Sequence, residues 1–234
     1  MANKIIDKGI FINMISAVIF DMDGVLIDSE PEYMEMNRRL FSELGIDFEN
    51  SDFNQYVGMS SFKMWSGIKE RYGLMQDVND LIETERKQMF DILSSGKISE
   101  PVKGIPELLK ELRQNEIVLN VASSSAKINI EYILNKLDLT NYFNFIVSGE
   151  EVKYGKPAPD IFLMVSDKCG IPPEKCLVIE DSSNGVAAAK SAGMKCIGFT
   201  NSGTNFQDLS GADFNVTDFN NDNIRRIGEY IKSN

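Results

Sequence analysis

The chain has 234 residues, 43% of them hydrophobic and 25% charged, with a net charge of −11 and a pI near 4.6. That length buries a substantial core in one large or two smaller domains, and that charge repels nucleic-acid backbones and anionic membranes, so neither is an expected partner. The absence of histidine excludes Ser-His-Asp and Cys-His chemistry and histidine-based zinc sites; the three cysteines, Cys169, Cys176 and Cys196, lack paired spacing and read as small core residues of a reduced, cytoplasmic protein.

Residues 1–14 read as an N-terminal extension: Lys4, Asp7 and Lys8 interrupt them and no small-residue cleavage pattern follows, so they make a poor signal peptide. No apolar run approaches the ~20 residues that span a bilayer. Ile15–Phe20 is short, apolar and β-branched, the pattern of a buried parallel strand. A helical segment follows. Pro31 suits a first turn, the spacing Met34, Leu40, Phe41, Leu44 predicts a helix ending at Gly45, and further helices are expected over Ser61–Tyr72 and Val78–Leu93.

After Gly104 the pattern alternates. A helix over Ile105–Gln114 precedes a strand over Ile117–Ala122, a helix over Lys127–Leu137 and a strand over Phe145–Val147. Then come a helix over Asp160–Cys169, a strand over Cys176–Ile179, a helix over Asn184–Ala192, a strand over Cys196–Phe199, an edge strand near Phe214–Val216 and a last helix from Asp222. Such alternation predicts an α/β fold, a Rossmann-like parallel sheet covered on both faces, with an α-helical cap inserted after the first strand. The core is expected over 15–28 and 99–234, and the cap over 29–98.

Open parallel sheets bind ligands at the carboxyl ends of their strands. There this sequence places Asp21 and Asp23, Ser123–Ser125, Lys156 and the pair Glu180-Asp181. Carboxylates, hydroxyls and one lysine are what phosphoryl transfer through an aspartyl phosphate requires: a nucleophile, oxygen ligands for a hard cation, and groups that hold phosphoryl oxygens. Asp-Gly is also a common turn pair, and serines or carboxylates at strand ends also cap helices. Ser125 is read that way, as a cap of the following helix.

Four motifs in order carry a resemblance: Asp21-Met22-Asp23-Gly24-Val25 with Asp28-Ser29-Glu30-Pro31, Ser123 after the second strand, Gly155-Lys156-Pro157, and Glu180-Asp181-Ser182 with Gly185. From residue 15 to about residue 230 the chain resembles the haloacid dehalogenase superfamily, and within it the β-phosphoglucomutase-like phosphatases with a helical cap. The resemblance implies Asp21 as nucleophile and Asp23 as general acid and base. It implies Mg²⁺ held by Asp21, the Asp23 backbone carbonyl and Asp181, with Glu180 beside them. Ser123 and Lys156 match phosphate-binding positions, assisted by the Ser124 backbone.

Gly58-Met59-Ser60-Ser61 is the expected loop from cap to active site, while Trp65 and Met64 read as cap core. Mutases of this subgroup carry a histidine where this chain has Tyr33 and an arginine where it has Ser61, so a phosphatase is favoured over a sugar-phosphate mutase. The substrate class is a small phosphorylated metabolite, a sugar or polyol phosphate, and the enzyme is expected to be a monomer. The alternative from another class is a non-catalytic regulator that binds such metabolites.

Overall fold

The computed structural model describes residues 14–47, 54–200 and 207–234. The expected extension lies outside them but for Met14. Six strands, β1 (Ala17–Phe20), β2 (Val118–Ser123), β3 (Phe145–Ser148), β4 (Cys176–Glu180), β5 (Lys195–Phe199) and β6 (Phe214–Val216), form one parallel sheet in the order β3-β2-β1-β4-β5-β6. This is the expected α/β architecture, with β6 at one edge.

Strand side chains alternate between two apolar layers, which explains why each strand reads as a continuous hydrophobic run. Val18, Phe20, Val121 and Ile179 enter one cluster with Ile105, Leu108 and Leu112 of α4 (Ile105–Gln114), Ile130 and Ile133 of α5 (Lys127–Lys136) and Ile227 of α8 (Asn221–Ser233). Ala17, Ile19, Ala122, Val178 and both buried cysteines, Cys176 and Cys196, enter the other. There they meet Ile161, Phe162 and Val165 of α6 (Asp160–Cys169) and Val186 and Ala189 of α7 (Ser183–Ser191).

Between β1 and β2 the chain forms α1 (Glu30–Glu43), α2 (Ser61–Tyr72) and α3 (Val78–Ser94). Their far ends share a separate cluster of Leu40, Phe41, Ile46, Met64, Trp65, Ile68 and Leu81. Trp65, the sole tryptophan, is fully buried and packs edge-on to Phe41 at 5.7 Å between ring centroids. The near ends are continuous with the main core, since Met36, Met89 and Leu93 belong to its larger cluster. Among the described residues, no helix is long and apolar enough to cross a membrane.

Candidate active site

β1 lies at the centre of the sheet, with Phe20 level with Val121 of β2 and Ile179 of β4. The next residue, Asp21, therefore leaves the sheet beside both neighbours, its amide donating to the Ile179 carbonyl at 3.0 Å. Gly24, at φ +81°, turns the chain and donates to the Ile27 carbonyl at 2.8 Å. A Cβ there would lie 1.9 Å from Asp181 Oδ2, so glycine alone lets this loop close against that carboxylate.

Lys156, from the loop between β3 and α6, is 1% exposed. Its Nζ donates to Asp21 Oδ1 at 2.7 Å, Glu180 Oε1 at 2.5 Å and the Ala122 carbonyl at 3.2 Å, using all three protons. Burial works against its charge, but Asp21 and Glu180 outweigh that and hold its pKa above the usual lysine range. Glu180 Oε2 accepts from the Asp181 amide, the Ser182 amide and the Ser182 hydroxyl, each at 3.0 Å. Glu180 thus fixes both the turn that aims Asp181 and the ammonium of Lys156. A Cβ on Gly185 would fall 1.9 Å from the same carboxylate.

Asp21, Glu180 and Asp181 are all buried, and each offers a carboxylate oxygen within 4.8 Å of the others'. An all-oxygen, net anionic donor set of this kind fits a hard divalent cation such as Mg²⁺. Burial, reinforced by Glu180 and Asp23 and opposed by Lys156, raises the Asp21 pKa to about 8. Burial and the charges of Glu180, Asp21 and Glu30 likewise push Asp181 well above the carboxylate range. A divalent cation among these oxygens reverses that logic, because it becomes the largest local charge.

Asp23 faces a different environment. Its Oδ1 accepts from Ser29 Oγ at 2.7 Å, and its Oδ2 accepts from Ser125 Oγ at 2.7 Å and Ser123 Oγ at 3.4 Å. Burial raises its pKa, while the hydrogen bonds from Ser125, Ser29 and Ser123 hold the rise back. Its carboxylate lies outside the three-carboxylate cluster. The expected cap by Ser125 is not formed: Ala126 occupies the N-cap of α5 without a side-chain bond, and Ser125 turns to Asp23 and to Tyr33, whose hydroxyl lies 3.1 Å from its Oγ. Two serines at the end of β2, Ser123 and Ser125, thus reach Asp23 while the helix that follows goes without a side-chain cap, and the sequence carries no mark of that choice. The buried Ser29 and the Tyr33 hydroxyl are further contacts that only the fold reveals.

A cavity of about 130 Å³ opens above this rim, lined by Asp21, Asp23, Ser123, Ser124 and Asp181 below and by Tyr33, Met59, Ser61, Met64 and Glu85 above. The loop containing Gly58 forms part of its wall. Ser124 Oγ donates to the Gly58 carbonyl at 2.8 Å, and Asn184 Nδ2 donates to that of Val57 at 2.7 Å. Gly58, at φ +76°, would bring a Cβ within 2.3 Å of Ser182 Oγ.

The sequence matches the family described as haloacid dehalogenase-like hydrolase over residues 18–199. It is 37% identical over 189 residues to a phosphorylated carbohydrates phosphatase of Thermotoga maritima, spanning 77% of this chain and 83% of that protein. It is 28% identical over 182 residues to a fructose-1-phosphate phosphatase of Escherichia coli, spanning 78% and 95%. A crystal structure of a β-phosphoglucomutase from Clostridium difficile matches with a TM-score of 0.79 and 28% identity, covering 93% of this chain and 99% of that one. The chain therefore belongs to the haloacid dehalogenase-like hydrolases and is a phosphoric monoester hydrolase of that family.

Proposed function

We propose that this enzyme is a Mg²⁺-dependent phosphatase for monophosphates of sugars or polyols, acting through an aspartyl phosphate on Asp21. The observation that carries the reading is the division between two neighbouring carboxylates. Asp21 sits with Lys156, Glu180 and Asp181, whereas Asp23 sits among serine hydroxyls on the same cavity.

In this reading an Asp21 oxygen attacks phosphorus while the bond to the leaving oxygen breaks, and Asp23 gives that oxygen its proton. Asp23, now ionised, takes a proton from water as that water attacks the phosphoryl group. The Asp21–phosphorus bond then breaks and phosphate leaves. Burial favours the protonated form that Asp23 needs in the first half, and its serine donors favour the carboxylate that it needs in the second. Lys156 holds Asp21 in place and offers positive charge to the phosphoryl oxygens, with Ser123 and the Ser124 backbone beside it. Mg²⁺, held by Asp21, Asp181 and the Asp23 carbonyl, would supply charge neutralisation between nucleophile and phosphate. Glu180 is assigned to orienting Lys156 and the Asp181 turn, since all four of its hydrogen bonds go to protein groups.

Residues 29–98 act as the cap and 15–28 with 99–234 as the catalytic core, with Gly58 in the loop that seals the cavity. The protein works as a cytoplasmic monomer. The substrate class rests on the phosphatases of phosphorylated carbohydrates and of fructose 1-phosphate to which the chain is similar. Similarity to a β-phosphoglucomutase supports a mutase as second reading. Against it, no lysine or arginine is among the described residues lining the cavity, and a mutase must hold a second phosphate.

Phosphate release from a panel of sugar, polyol and nucleotide monophosphates, with Mg²⁺ and with chelator, tests the proposal. Mg²⁺-dependent release from sugar or polyol phosphates is expected. Conversion of β-glucose 1-phosphate to glucose 6-phosphate with little free phosphate would establish the mutase instead. No hydrolysis of any ester would favour the regulator.

A further inference from the structure

Glu85, on α3, is a carboxylate more than nine-tenths buried that lines the cavity. Its Oε2 accepts from the indole N–H of Trp65 at 2.9 Å, and the Ser61 side chain also hydrogen-bonds to it. Among the described residues no lysine or arginine forms an ion pair with it. The adjacent Arg86 directs its guanidinium to Glu83 and Glu150 instead. Accepting from an indole and a hydroxyl needs only a neutral oxygen, so a buried full charge there is a cost without a structural return.

The cavity itself is charged on one side of the ledger only. Asp21, Asp23, Glu30, Glu85 and Asp181 line it, with no cationic residue among the described lining residues. In the phosphatase reading Lys156 and a divalent ion act at the strand ends, where the phosphoryl group sits; beside Glu85 the charge of Arg86 is felt without an ion pair and offsets only in part the burial that raises the Glu85 pKa.

We infer that Glu85 is a specificity-determining residue: it accepts hydrogen bonds from hydroxyls of the leaving group and rejects leaving groups that carry a second anion. This rests on the phosphatase reading above. A neutral polyhydroxy group donates to the buried carboxylate, a charge-assisted bond. A second phosphate or a carboxylate would instead meet an unpaired like charge in low dielectric, the repulsive element that specificity requires.

The test compares wild type with Glu85→Gln on four probes: sorbitol monophosphate, fructose bisphosphate, phosphoglycolate and p-nitrophenyl phosphate. Glutamine keeps an acceptor for Trp65 and removes the charge. Wild type should strongly prefer sorbitol monophosphate to fructose bisphosphate and phosphoglycolate, the two probes with anionic tails. In the variant, the ratio of kcat/KM for sorbitol monophosphate to that for p-nitrophenyl phosphate should fall about tenfold, the difference between a charged and a neutral acceptor. The fructose bisphosphate to sorbitol monophosphate ratio should rise.

Emission from Trp65, the sole tryptophan, reports whether the cap stays packed. If the variant loses that packing, the wild-type comparison decides alone: equal use of mono- and bisphosphates overturns the inference. A uniform change on all four probes in a folded variant also overturns it. Failure of wild type to hydrolyse any probe with Mg²⁺ would instead sink the phosphatase reading itself.

Discussion

Two aspartates separated by one residue occupy environments that push them toward different tasks. Asp21 touches an ammonium and lies in a carboxylate cluster; Asp23 receives three serine hydroxyls and feels Lys156 only at a distance. In the proposed mechanism, environment rather than residue type divides nucleophile from proton carrier. Asp21→Asn should lower phosphatase turnover by roughly 10⁴-fold or more, as expected when a covalent nucleophile is removed. Its thermal midpoint in chelator should stay level or rise, because burial already disfavours the Asp21 charge. Asp23→Asn should cost roughly 10²–10⁴-fold, the usual contribution of a general acid and base. Steady-state phosphate release and a thermal melt check both.

At the scale of elements, the loop that walls one side of the cavity depends on one glycine. Alanine at position 58 would need φ near +76° and would press its Cβ against Ser182 Oγ. Such a conformation costs about 1–3 kcal/mol for a residue other than glycine. Gly58→Ala should therefore raise KM more than it lowers kcat, with the midpoint falling by no more than several degrees. An unchanged KM would show that closure does not rely on this contact.

The element order was legible from the sequence because short continuous apolar runs, helical apolar spacing and glycine stops are local signals. Asp21, Lys156 and Asp181 were legible too, because each follows a strand end and strand ends of a parallel sheet converge. The contacts that Ser29, Ser125 and Tyr33 make around Asp23 were not. Ser125 meets Tyr33 and Asp23 across separations of 92 and 102 residues, which no local pattern encodes. Glu85 was equally hidden: on α3 it reads as one polar position of an amphipathic helix, and only the packing of α2 against α3 buries it on Trp65.

At the scale of the whole molecule, a chain of net charge −11 concentrates anionic groups around the site where it is to receive another anion. The consequence appears in stability. Asp21 has a folded pKa of about 8 against an ordinary value of 3.8, so between those values the folded state holds more protons than the unfolded one. Stability must then fall as pH rises through that window, and Asp181 and Asp23 act in the same direction. In chelator the melting temperature should drop from pH 5 to about pH 8. With saturating Mg²⁺ the slope should flatten, since a ligand that binds only the folded state stabilises it most where the carboxylates are ionised. A slope unaffected by Mg²⁺ would count against a cation among Asp21, Glu180 and Asp181.

The most direct measurement is to look for the phosphoryl group on Asp21. Asp23→Asn, mixed with sorbitol monophosphate and Mg²⁺ and quenched in acid, should yield a peptide containing Asp21 that carries one phosphoryl group and disappears when Mg²⁺ is withheld. Wild-type rates of phosphate release from Asp21→Asn would contradict the account.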